Sequence, residues 1–177
     1  MSGINDLTAA RLSQAAYTSY LDYALHGAAL PSDLSAAGWR VDIDNSYRSP
    51  GGFNQFITFV NDNDHQVVIA FKGSDCLSNY ISDLSDSGYS AYQSVRSAAV
   101  EKLNTIQNSQ EYEGYEVMTD GHSLGGGMAQ TFAFEQSLNG YGQNSLPISP
   151  DALDEYCELN NISPDTALAE YRNLHTF

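Results

Sequence analysis

Ser123 lies at the centre of Gly121-His122-Ser123-Leu124-Gly125-Gly126-Gly127, the one stretch whose residue types and spacing suit covalent chemistry. A serine hydroxyl attacks a carbonyl only when it is exposed, deprotonated by a base and faced by donors that hold the resulting oxyanion. Glycines two residues before and two after a serine let a strand turn into a helix so tightly that backbone packs on backbone. The bare pattern is common, so its surroundings must carry the argument. Tyr115 to Thr119 alternates like a strand, and Met128 to Phe134 continues as a helix whose N-terminus points its free N–H groups at the serine. Upstream, the apolar run Val67-Val68-Ile69-Ala70-Phe71 leads into Lys72-Gly73-Ser74-Asp75. A buried strand ending in Gly-Ser can bring a second oxyanion donor to the same place.

Taken together, F-K-G-S at Phe71 to Ser74, S-N-Y-I-S-D-L at Ser78 to Leu84 and G-H-S-L-G-G-G-M-A from Gly121 resemble the class 3 (fungal-type) lipases of the α/β-hydrolase fold. The resemblance is good from about Phe53 to Leu138 and looser at both ends. It implies a nucleophile at Ser123, an oxyanion-hole side chain at Ser74 and a second oxyanion donor from the backbone N–H of Leu124. It further implies a three-layer α/β sandwich with a mostly parallel sheet and antiparallel strands at its N-terminal side. The family needs no cofactor, and its substrates are lipid or other acyl esters.

The partners of the serine are harder to place. In α/β hydrolases the acid and the histidine follow the nucleophile in that order, and His175 is the one histidine after Ser123. Tyr171 to Phe177 resembles the start of the strand that leads to the acid in the family. On that reading the 177 residues form a single lipase-like domain that stops before both the acid and the base, and the chain alone has no activity. The rival reading makes His175 the base, oriented by Asp151, Asp154 or Asp165. His122 is a structural neighbour of the nucleophile, and His26 and His65 read as surface or turn residues.

Composition narrows the partners. Twenty-two acidic residues against 7 basic ones give a net charge of −15, which opposes nucleic acid binding and disfavours anionic bilayers. A lipid must then be engaged through apolar contacts. With 12 Tyr and 7 Phe the chain has the aromatic content of a folded domain. Cys76 and Cys157 are expected as free thiols. Met1 to Asp6 carries no basic, apolar leader, and no apolar run is long enough for a membrane span. The expectation is a soluble protein, cytoplasmic by default or exported by a signal-independent route. Nothing in the composition fixes its oligomeric state.

The order of elements suits the fold. A helix is expected over Leu7 to Tyr23, then strands at Trp39 to Asp44, Phe53 to Val60 and Gln66 to Phe71, joined by Ser49-Pro50-Gly51-Gly52 and Asn61-Asp62-Asn63-Asp64. Short turns make these strands antiparallel. Tyr92, Val95, Ala99, Leu103 and Ile106 form one apolar face of a helix, and the strand–helix pair around Ser123 is a parallel crossover. A short strand can follow Leu138. Ser149-Pro150-Asp151 and Ser163-Pro164-Asp165 each read as a capped helix start.

Other chemistries lack their parts. No Cys/His set has zinc spacing, Asn61 to Asp64 lacks the closing Glu of a calcium loop, and the glycine run lacks the Lys and Ser/Thr of a P-loop. Asp83 reads as a local capping residue. The sequence therefore predicts a serine carboxylic-ester hydrolase acting on acylglycerol or phospholipid esters. A thioesterase or peptidase on the same scaffold, or a lipase-like domain without catalysis, are the alternatives.

Overall fold

The structure, a computed structural model, describes residues 3–74 and 88–174. Five strands form one sheet in the order β1-β2-β3-β4-β5: β1 (Trp39–Arg48), β2 (Gln55–Asn61), β3 (Gln66–Phe71), β4 (Glu116–His122) and β5 (Asn139–Gln143). The first two pairings are antiparallel and the last two parallel. The antiparallel pairs follow from the short connections, while the β3–β4 crossover carries helix α4 (Tyr89–Gln107) and β4–β5 carries α5 (Leu124–Gln136).

Side chains of β2 and β3 alternate between two cores, so every residue of both strands is buried. Phe56, Val60, Val67, Ile69 and Phe71 face α4 and α5, meeting Tyr92, Val95, Leu103, Met128 and Phe132. Ile57, Phe59, Val68, Ala70 and Met118 face the other way, against Leu12, Leu34 and Trp39. That second face is covered by α1 (Asp6–Ala15), α2 (Tyr20–Leu25) and α3 (Ser32–Ala36). The result is the expected three-layer sandwich.

The single N-terminal helix expected from the sequence is two. Gln55, reaching over from β2, donates through Nε2 to the carbonyls of Ala16 and Thr18, each at 2.9 Å, and so fixes a break between them. Ser19 then caps α2 by accepting from Asp22 N–H at 3.1 Å. The two late helix starts are present, as α6 (Pro150–Asn160) and α7 (Pro164–Leu174), with Ser149 and Ser163 as caps. The strand expected from Tyr171 is overturned: Tyr171 to Leu174 continue α7. Ser163 caps a helix start, and no proline or glycine interrupts the run from Thr166 to Leu174, so the helix continues through Tyr171. Ser78 to Leu84, with Asp83, and Cys76 and His175 lie outside the described residues. Cys157 is a buried free thiol, and no helix among the described residues is long and apolar enough to cross a membrane.

Candidate active site

β4 ends at His122 and α5 begins at Leu124, so Ser123 alone makes the turn. Its backbone stands at φ 56°, ψ −121°, a conformation that glycine adopts freely and serine only at a cost of about 1–3 kcal/mol. Two glycines allow it. A Cβ on Gly121 would lie 2.2 Å from the carbonyl oxygen of Gly125, and one on Gly125 would lie 2.1 Å from that of Phe71. The strand end, the helix start and the end of β3 are therefore in bare backbone contact. Three hydrogen bonds hold the turn. Ser123 N–H donates to Gln143 O at 3.0 Å, while Ser123 O accepts from Gly127 N–H at 3.2 Å and from Leu146 N–H at 3.1 Å.

Leu124 opens α5, so its N–H is among the first-turn donors that a helix leaves without an internal partner. Its side chain is buried in the core and fixes that N–H in place. Gly73 runs past the turn from the β3 side: a Cβ there would lie 2.6 Å from His122 O and 2.3 Å from Tyr17 Oη. Ser74 follows directly. It lines an open cavity of about 490 Å³ together with Ser13, Tyr17, His122 and Gln143. The structure thus brings Ser74, Leu124 and Ser123, the three residues singled out from the sequence, to one end of the sheet.

The histidines go elsewhere. The Nδ1 of His122 is hydrogen-bonded to Tyr17 Oη at 3.0 Å. His26 pairs with Asp22 at 2.9 Å on the surface. His65 lies edge-on to Tyr115, 4.9 Å between centroids, and its carbonyl accepts from Glu116 N–H at the opposite end of β4. Among the described residues no group is hydrogen-bonded to Ser123 Oγ. Asp151 and Asp165 occupy the first turns of α6 and α7, and Asp154 lies within α6.

Sequence reading missed Asp120. Its side chain is fully buried, on the face of β4 that also carries His122. One oxygen accepts from Gly121 N–H at 2.8 Å, and the other has no hydrogen-bond partner among the described residues, as is true of Gln143 Oε1 and Ser145 Oγ. Burial pushes the carboxyl well above the ordinary carboxylate range, with the Gln143 side chain, Gly121 N–H and the Ser13 backbone pulling it partly back. A lone acid at an inward position of a buried strand was the available signal. Ser145 also packs against the helix, since a Cβ on Gly126 would lie 2.1 Å from its Oγ.

A strand–Ser–helix turn locked by two glycines, on a mixed sheet between helical layers, defines a lipase-like domain of the α/β-hydrolase fold. The chain belongs to the family of the Tle-like phospholipase domain, whose family model matches residues 8–172. In solved structures it is similar to the Rhizomucor miehei lipase in its propeptide complex, with a TM-score of 0.62 at 18% identity over 91% of this chain and 60% of that one. Lipase II from Rhizopus niveus gives 0.60 at 13% identity, over 88% and 68%. The mono- and diacylglycerol lipase from Aspergillus oryzae gives 0.54 at 23%, over 74% and 57%. At these identities the likeness is one of fold, and the chain spans about 60% of the length of the Rhizomucor lipase. No curated protein matches the sequence.

Proposed function

We propose that the protein is a serine carboxylic-ester hydrolase acting on phospholipid or acylglycerol esters through an acyl-enzyme on Ser123. The observation that carries the reading is the backbone of Ser123 at φ 56°, ψ −121° between β4 and α5. A strain of this kind persists only where the surroundings over-determine it, and here two glycine contacts and three hydrogen bonds do so. In the reaction Ser123 Oγ attacks the ester carbonyl and passes its proton to a base, which returns it to the leaving alcohol. Water then repeats the sequence and releases the fatty acid. The oxyanion is held by Leu124 N–H and by Ser74, which stand at the same end of the sheet. The base comes from outside the described residues, because His26, His65 and His122 are engaged or placed elsewhere. The family of the domain and the lipase folds it resembles support a lipid substrate.

The test compares wild type with Ser123→Ala in the full protein, by fluorophosphonate labelling and by fatty-acid release from phosphatidylcholine and diacylglycerol. Labelling and release are both expected to vanish in the variant with its melting temperature preserved. Wild-type turnover by Ser123→Ala removes Ser123 as the nucleophile.

A further inference from the structure

Arg48 and Phe53 are not used by the site, and both are anomalous for this surface. Among the described residues Arg11, Arg40, Arg96 and Lys102 each lie between 2.8 and 3.7 Å from a carboxylate. The Arg48 side chain forms no ion pair or hydrogen bond among those residues. In a chain with 22 acids and 7 bases, a cation left without a carboxylate stands ready for an external anion. Phe53, five residues on, is 78% exposed, the most exposed large apolar side chain described. Its loop is nonetheless built. Ser49 N–H donates to Asn54 O at 2.9 Å, Gly52 N–H to Ser49 O at 2.8 Å, and Asn54 Nδ2 to Ser94 Oγ at 3.0 Å. The Phe53 ring lies across Gly51, and the Arg48 guanidinium lies across Gly52 so closely that a Cβ there would be 1.9 Å from it.

The register places this loop beside the catalytic end of the sheet. Phe56 pairs with Phe71 and Phe71 with Gly121, and one residue further Lys72 N–H donates to Gln55 O. Counted on at this register, Asn54 falls beside Gly73 and Ser123 and Phe53 beside Ser74, so the loop stands at the same end of the sheet as the nucleophile, two strands across. Tyr20 N–H, bonded to Gln55 Oε1 at 3.0 Å, brings the start of α2 to the same end, where Leu21 is 38% exposed.

We propose that the Ser49–Asn54 loop is a docking element for a phospholipid surface, with Phe53 inserted at the level of the upper acyl carbons and Arg48 holding a headgroup phosphate. The inference rests on the lipid-ester reading of the site and adds the surface through which the substrate layer is met. A basic side chain beside an exposed aromatic ring matches the phosphate and the apolar layer beneath it. The overall charge of −15 makes a zwitterionic bilayer the partner, because an anionic one would repel the rest of the molecule.

Sedimentation with phosphatidylcholine vesicles tests this in the Ser123→Ala background, where binding is read without turnover, while fluorophosphonate labelling of the parent protein reads the serine separately. Phe53→Ser is expected to lower vesicle partitioning about tenfold or more, from the lost burial of one aromatic ring. Arg48→Gln is expected to lower it about tenfold, from the loss of a charge-assisted hydrogen bond to the headgroup phosphate, with Arg48→Lys in between. On triacylglycerol droplets, which carry no phosphate, Arg48→Gln binds as its parent does. Phe53→Trp keeps binding and shifts its emission to the blue on vesicles. No binding by the parent, undiminished binding by Phe53→Ser, an emission from Phe53→Trp that vesicles leave unshifted, or an equal loss for Arg48→Gln on vesicles and droplets overturns the proposal.

Discussion

Replacing Gly125 with alanine adds one methyl group where the structure has room for none. The new Cβ would stand 2.1 Å from the carbonyl oxygen of Phe71 and 2.8 Å from the carbonyl carbons of Phe71 and Lys72. An ordinary contact begins near 3.4 Å, so α5 and the end of β3 must part by about 1 Å, and both obstacles are backbone with no rotamer to give. Overpacking of this kind costs about 1–3 kcal/mol or more. Alanine recovers about 1 kcal/mol of helix propensity, which leaves a net loss of about 1 kcal/mol or more and a melting temperature about 2–4 °C lower or more for a domain of this size. The displacement also separates Leu124 N–H from Ser74, and a misplacement of about 1 Å costs on the order of 100-fold in rate. Thermal melting and fluorophosphonate labelling on Gly125→Ala measure the two effects. A variant as stable as wild type with undiminished labelling would refute the backbone contact as the reason for glycine.

Ser123→Gly relieves the strain at φ 56°, and after the added unfolded-state entropy of glycine it should exceed Ser123→Ala in stability by about 1 kcal/mol; equal melting temperatures for the two variants refute the strain. Asp120→Asn should be the more stable protein at pH 7–8, because a buried carboxyl with a raised folded-state pKa contributes stability that is full below its unfolded pKa, near 4, and is lost as pH rises through the folded value. The advantage, about 1–3 kcal/mol for a buried polar group, should shrink towards pH 4, and parallel pH profiles for variant and wild type count against it. Ser74→Ala should lower kcat about 100- to 1,000-fold with little change in KM, since an oxyanion donor acts in the transition state; an unchanged kcat makes Ser74 a turn residue.

The parts legible in the sequence are those written in local pattern. Gln66 to Phe71 reads as a strand from its apolar run, and it has those bounds in the structure. The face of Tyr92, Val95, Ala99, Leu103 and Ile106 is the buried face of α4. The turn at Ser123 is legible because a backbone contact demands glycine at fixed offsets. What was not legible depends on remote partners. The break between α1 and α2 is imposed by Gln55, 39 residues from the Ala16 carbonyl it binds. Leu146 and Gln143 hold Ser123 through their backbones, which leave no mark on residue type. Asp120 carries the identity of an ordinary surface acid, and only the packing of α1 over β4 makes it a buried one.

The grip of β5 on Ser123 has a consequence for how the strained turn behaves in time. β5 has five residues, two of them glycine, so its pairing with β4 is weak and belongs with the segments that open locally before the centre unfolds. Two of the three bonds that hold Ser123, to Gln143 O and from Leu146 N–H, come from β5 and the chain just beyond it. When that strand opens, both are released at once and the serine can relax to an ordinary backbone. The Ser123 and Leu146 amides should then exchange with solvent at a common rate, and the lifetime of the bent serine becomes the lifetime of the pairing between β4 and β5.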